Sequence, residues 1–312
     1  MKMLTARQLF GGMQFYKRVL AIGIPVMLQS FIQSLVSLID GFMVSGLGDI
    51  KMSGVNISGQ ILFIFMILQG AVCTSGGIFL TQFSGAKDKE GMRQAFAFKI
   101  VVSFSLAIVY YLVTMVFTRK ILSLMVIGNS QAELILDQGQ EYMFLMGFIG
   151  IQTSISYIIA SSYREIGKVN APLIFSITAA LINTILNWGL IYGNLGMPRL
   201  EVKGAAYATI IAKTIEMILF IVYTIKDKPD FVDLSVLKRI DFKFFGQILR
   251  KGSMIILAQM MWVVSETISA AIYNGRGGAD VVSGMAASFT IANLLFVSFA
   301  GITTSTGIII GE

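Results

Sequence analysis

Apolar residues run along this chain in long unbroken stretches, and the polar residues gather in short intervals between them. A membrane-crossing helix needs about 20 mostly apolar residues. Eight stretches reach that length, at roughly 19–44, 54–82, 95–118, 142–162, 171–192, 204–225, 253–273 and 281–310. A transmembrane β-barrel would alternate apolar and polar positions over about ten residues per strand instead. The pattern therefore predicts an all-α polytopic membrane protein.

Composition agrees. Across 312 residues, 55% are hydrophobic and 13% charged, with a mean hydropathy of +0.78, whereas soluble domains are about one quarter charged. The net charge of +7 follows the loops and so carries topology rather than nucleic-acid affinity. With the N-terminus inside, sixteen Lys and Arg fall in inside segments and six in outside loops. Lys and Arg prefer the cytoplasmic side, which predicts a cytoplasmic N-terminus in the plasma (cytoplasmic) membrane. Lys2, Arg7, Lys17 and Arg18 precede a first span that is too long for a signal segment and lacks a small-residue cleavage site, so it is expected to be retained. One cysteine, Cys73, and no histidine leave neither a disulfide framework nor a Cys/His metal site. No H-E-x-x-H, nucleophile elbow or P-loop lysine motif occurs. An enzyme is disfavoured, and no cofactor is expected.

The one long charged stretch, 226–251, predicts a short amphipathic helix at the cytoplasmic interface that connects two bundles. Laying residues 48–80 on 278–310 without gaps gives nine identities, among them Ser53/Ser283, Gly54/Gly284, Thr74/Thr304, Ser75/Ser305 and Gly77/Gly307. Such self-similarity predicts parallel repeats. The expected organisation is a six-helix lobe at 1–225, a cytoplasmic linker at 226–252, and the first two helices of an incomplete second lobe at 253–312. The competing reading treats eight helices as the whole bundle and the repeat as an accident of Ser/Gly-rich packing.

Polar residues inside the spans supply the candidate chemistry. An ionised carboxylate near mid-membrane costs about 3 kcal/mol on insertion scales, so Asp40 should face the bundle interior or water. Gln29, Gln33, Ser37 and Asp40 share one side of the first helix, a stripe expected to line a cavity or to bond neighbouring helices, and Pro25 can bend that helix. Asn183 and Asn187 are one turn apart on the fifth span, and Thr209 lies near the start of the sixth. By chain direction all four of Asp40, Asn183, Asn187 and Thr209 fall in the outer half, where they can meet. A carboxylate with amide and hydroxyl oxygens suits a small hard cation such as Na⁺. It suits a proton equally, since apolar surroundings favour a neutral carboxyl group.

Glu266 on the seventh span is a second candidate carboxylate. Trp188 and Trp262 are candidates for contact with cationic substrates, although Trp188 also suits an interfacial anchor. Lys213 and Glu216, three residues apart, are expected to pair with each other, and Lys99 to reach the cytoplasmic interface. The runs CTSGG and TSTG read as sites of close helix approach.

Several stretches resemble the multidrug and toxic compound extrusion (MATE) transporters: IPVMLQSFIQSLVSLIDGFMVSGLG, LTQFSGAKDKEGMRQA, SSYREIGKVNAPL, and NTILNWGLIYGNLGMPRLEVKGAAYATIIA. The resemblance implies a two-lobe bundle of twelve helices, of which about four are absent here. It implies a secondary antiporter, acting as a monomer, that exports cationic amphiphilic drugs and toxins in exchange for H⁺ or Na⁺. It also matches Asp40, Asn183 and Thr209 to coupling-ion residues. Asn187 departs from the pattern, since many relatives resemble N-x-x-x-D there. Two further readings stay open: a flippase for lipid-linked oligosaccharides, which would need a strongly basic cavity, and a non-transporting membrane fragment.

Overall fold

The computed structural model describes residues 12–126, 131–276, 297 and 299–311. Among them no strand occurs, and the helices follow the apolar stretches. They are α1 (Met13–Ser45), α2 (Asp49–Gly85), α3 (Lys89–Val116), α4 (Thr118–Met125), α5 (Ala132–Met146), α6 (Ile149–Glu165), α7 (Asn170–Tyr192), α8 (Glu201–Asp227), α9 (Phe242–Arg276) and α10 (Phe299–Gly311). Six are long and apolar enough to cross a membrane, and the bent pair α5 and α6 makes a seventh crossing if taken as one. The eighth predicted span and the repeat positions 278–291 lie largely outside the described residues.

Local chemistry sets the turns. Gly48 adopts φ +98° between α1 and α2, a left-handed geometry that costs glycine little. Asp88 caps α3 by accepting the amide of Gly91 at 3.0 Å, which satisfies one of the orphan donors of the first turn. Gly193 closes α7 at φ +79°, its amide donating to the carbonyl of Gly189 at 2.8 Å, as left-handed helix caps do.

Two expectations about the elements change. The span predicted at 142–162 is broken: α5 and α6 meet at 51° around Gly147 and Phe148. A Cβ at Gly147 would sit 2.4 Å from Met115 Cε and 2.8 Å from Thr114 Oγ1, so α3 packs closely against the break. The predicted amphipathic connector helix is instead a 3₁₀ turn, Leu234–Lys238, followed directly by α9, which starts at Phe242 and continues into the seventh span.

α1 packs on α7, α7 on α8, α8 on α6, and α6 on α2 and α3, while α9 lies against α2 and α3. A bundle closes around a central axis. One apolar cluster, with Phe98, Tyr163, Phe220, Phe231 and Ile248, fills the end that carries the α8–α9 connector. A second, with Ile61, Tyr110, Leu122, Met143 and Ala206, fills the opposite end. The outside is apolar as well, with Phe42, Leu112 and Ile225 exposed, as suits a surface solvated by lipid chains.

Candidate functional site

Three helices carry the first polar cluster. Asp40 on α1 accepts a hydrogen bond from Asn187 Nδ2 on α7 at 2.6 Å. One turn earlier on α7, the amide of Asn183 lies 3.1 Å from both Asp40 oxygens, and it donates to both when its nitrogen faces the carboxylate. Thr209 on α8 stands 3.3 Å from Asn183 and anchors its own hydroxyl to the Ala205 carbonyl at 2.9 Å. The contact is possible because α7 and α8 run unusually close. A Cβ at Gly204 would lie 2.5 Å from the Leu190 carbonyl oxygen.

The structure thus brings Asp40, Asn183, Asn187 and Thr209 into one constellation, at the end of the bundle opposite the α8–α9 connector. Asn187 is 1% exposed, and its Oδ1 has no hydrogen-bond partner among the described residues. An unpartnered buried acceptor is costly. Beside a carboxylate, it is an oxygen that a small cation can use. Among the described residues no group of three or more His, Cys, Asp or Glu could hold a metal, so the donor set is one carboxylate with neutral oxygens.

A second polar network occupies the half nearer the connector. Gln29 Nε2 donates to Ser176 Oγ at 2.8 Å, and Ser176 donates to Glu216 Oε1 at 3.0 Å. Lys213 donates to Glu216 Oε2 at 2.8 Å, so the expected pair forms. Lys99 differs from expectation. It does not reach the interface but is fully buried, donating to Ser161 at 3.2 Å, to Ser162 at 3.1 Å and to the Glu165 carboxylate. A compensating carboxylate with two hydroxyls replaces the water that snorkelling would have provided. The CTSGG run makes room for this pair: a Cβ on Gly76 would meet Lys99 Cγ at 2.8 Å, and one on Gly77 would meet Glu165 Oε1 at 2.0 Å. Sequence reasoning did not single out Glu165. Its only sign was an acid at the end of an apolar span.

A cavity of about 890 Å³ opens between α1, α2, α6, α8 and α10, within the usual range for ligand pockets. Gln29 and Gln33 of the predicted stripe line it, whereas Pro25, Ser37 and Asp40 do not. Trp188 and Trp262 do not line it either; they are 47% and 45% exposed, and Trp262 leans on Phe63 with ring centres 6.0 Å apart. Both indoles are thus about half exposed and outside the cavity lining. Glu266 belongs to α9, which packs on α2 and α3, away from the α1, α7 and α8 helices that build the Asp40 cluster.

Comparison with known proteins gives a consistent picture. The MatE family model matches residues 25–189. A probable multidrug resistance protein of Bacillus subtilis, YoeA, is 24% identical over 259 residues, covering 81% of this chain and 55% of the relative. A probable multidrug resistance protein of Thermotoga maritima, NorM, is 21% identical over 298 residues, covering 95% of this chain and 62% of the relative. The structure of an outward-facing multidrug resistance MATE family transporter of the MOP superfamily superimposes with a TM-score of 0.81 at 22% identity, over 98% of this chain and 66% of that one. The chain spans between about half and two thirds of the length of these curated relatives.

Proposed function

Because the chain belongs to the MatE family and is a multi-pass membrane protein, we propose that it works as a secondary antiporter that exports cationic amphiphiles in exchange for H⁺ or Na⁺. The observation that carries this reading is the convergence on Asp40 of Asn183, Asn187 and Thr209. A carboxylate held by amide donors inside a lobe is a switchable charge. Its proton or cation can be exchanged only when one side of the membrane has access.

In this reading residues 1–225 form one lobe, 226–252 the cytoplasmic connector, and 253–312 the beginning of a second lobe, with the N-terminus in the cytoplasm of the cell that exports. The ion binds at Asp40 from outside, where the orphan oxygen of Asn187 completes its surroundings. Asn183 and Thr209 hold the carboxylate towards α7 and α8. Binding there must favour a different state from the one that substrate favours, since a ligand shifts an equilibrium only by its differential affinity. α1 transmits the difference, and Pro25, which removes one backbone hydrogen bond within it, gives the place to bend.

Efflux of ethidium from cells expressing the protein, under imposed Na⁺ or pH gradients, tests the proposal. Asp40→Asn should cut gradient-driven efflux by about tenfold or more, the scale of losing one charged interaction. Thr209→Ala should reduce it less. Efflux by Asp40→Asn at the wild-type rate would overturn the role of this cluster.

A further inference from the structure

The stretch 226–251 carries four acids and seven bases, and the fold separates them. The acids turn towards the bundle or its backbone. Asp227 accepts from Lys168 at 2.7 Å, Asp230 from Lys89 at 2.8 Å and Asp233 from Arg93 at 3.1 Å, while Asp241 accepts the amides of Lys243 and Phe244 at 2.9 and 3.0 Å. Those three cations belong to α3 and to the α6–α7 turn, so the connector's own bases gain nothing from them. Arg239 stands near Asp233, and Lys251 lies 5.2 Å from the Phe79 ring centre. Lys226, Lys228, Lys238, Lys243 and Arg250 are exposed, and among the described residues no carboxylate lies within ion-pair distance of them. At the opposite end of the bundle the balance differs: Lys51, Arg119, Arg199 and Lys203 all have carboxylate partners.

The basic surface is held in shape from behind. Phe231 and Val236 are fully buried in the apolar cluster at this end. Gln94 of α3 clasps the connector, donating to the Arg239 carbonyl at 2.9 Å and accepting the Asp241 amide at 3.2 Å. Large apolar side chains stand out among the cations, with Leu234, Phe242 and Leu249 exposed. Lys243 and Arg250, seven residues apart, share a helical face with Met254, Leu257 and Met261, which are exposed as well. Charge followed by apolar surface along one face is the pattern of a helix passing from headgroups into acyl chains.

We propose that the connector and the first turns of α9 form a docking surface for anionic phospholipid of the cytoplasmic leaflet, with Lys238, Lys243 and Arg250 on the headgroup phosphate and Phe242 and Leu249 among the upper acyl chains. The leaflet follows from the proposed orientation of the chain, while the preference for an anionic lipid follows from the unpaired cations. A zwitterionic headgroup brings its own ammonium and so has no net charge to offer them. Each Lys or Arg near an anionic surface strengthens binding about fivefold.

Native mass spectrometry of the purified full chain in detergent, titrated with dioleoylphosphatidylglycerol or dioleoylphosphatidylcholine, tests this. Both lipids arrive from detergent, so the result does not depend on which way the chain is inserted. At low ionic strength wild type should bind the first phosphatidylglycerol about tenfold more tightly than the first phosphatidylcholine. The triple variant Lys238→Gln, Lys243→Gln and Arg250→Gln should bring the two lipids within about twofold of each other and leave phosphatidylcholine binding unchanged. Lys120→Gln, which removes an exposed cation of α4 at the opposite end, should keep the wild-type preference. Equal affinities in wild type, or a preference that survives in the triple variant, overturn the inference. A loss in Lys120→Gln as large as in the triple variant overturns it too, since net charge rather than this surface would then attract the lipid. Glycerol phosphate, which has the headgroup charge and no acyl chains, should not displace bound phosphatidylglycerol; displacement would make the surface an anion site and overturn the lipid assignment. None of these outcomes touches efflux through Asp40, which stands on its own test.

Discussion

Lys99 shows how one side chain can be read correctly as costly and placed wrongly. A lysine in an apolar span needs either water at the interface or a compensating partner. The partner is Glu165, 66 positions away, and the space for both heads comes from Gly76 and Gly77 on a third helix. Removing one member of a buried pair leaves an uncompensated charge, typically at a cost of about 3–5 kcal/mol, while replacing both with apolar groups is often tolerated. Lys99→Met should therefore lower the thermal midpoint of the detergent-solubilised protein clearly, and adding Glu165→Leu should recover most of the loss. A double variant no more stable than the single one would show that the pair is not the unit. Asp40 presents the opposite case: its depth and its polar company on α7 and α8 follow from spacing, and the structure adds the contacts themselves.

Helices were legible wherever an apolar stretch was continuous, because a membrane span must satisfy its backbone internally. The break between α5 and α6 was not legible. Gly147 sits in an apolar run like any other glycine, and nothing in its spacing announces the bend or the close approach of Met115 and Thr114 found there. The charged stretch 226–251 was expected to hold a short amphipathic helix separate from the span, whereas α9 runs unbroken from Phe242 into it, since exposed helix tolerates Lys and Arg well. The close crossing of α7 and α8 at Gly204 has a consequence at this scale. Gly204→Val should push the Leu190 carbonyl away, destabilise the bundle by about 1–3 kcal/mol through overpacking, and separate Thr209 from Asn183. A thermal melt reads the first effect. Loss of efflux greater than the loss of folded protein reads the second, and a variant with wild-type stability would contradict the crossing distance.

At the scale of the molecule, the charge asymmetry of the loops makes a topological prediction. Single cysteines at Lys228 and at Arg199, in a Cys73→Ala background, should react with a membrane-impermeant maleimide from opposite sides, Lys228→Cys only from the cytoplasm and Arg199→Cys only from outside. Exchanged sides would reverse the proposed arrangement, and labelling of both from one side would break it. Cys73 is 1% exposed, so its replacement removes background without removing a surface group.

The sequence by itself determined the solvent, the all-helical class, the positions of the spans and the set of polar residues that belong to the interior. Each of these follows from transfer free energies that act residue by residue along the chain. The tertiary structure alone decided which interior residues meet. It joined Asp40 to α7 and α8, hid Lys99 behind Glu165, and left Trp188 and Trp262 out of the cavity wall. Contacts between spans depend on how closely small residues such as Gly77 and Gly204 let helix axes approach. That distance belongs to pairs of helices, and hydropathy along one helix does not encode it.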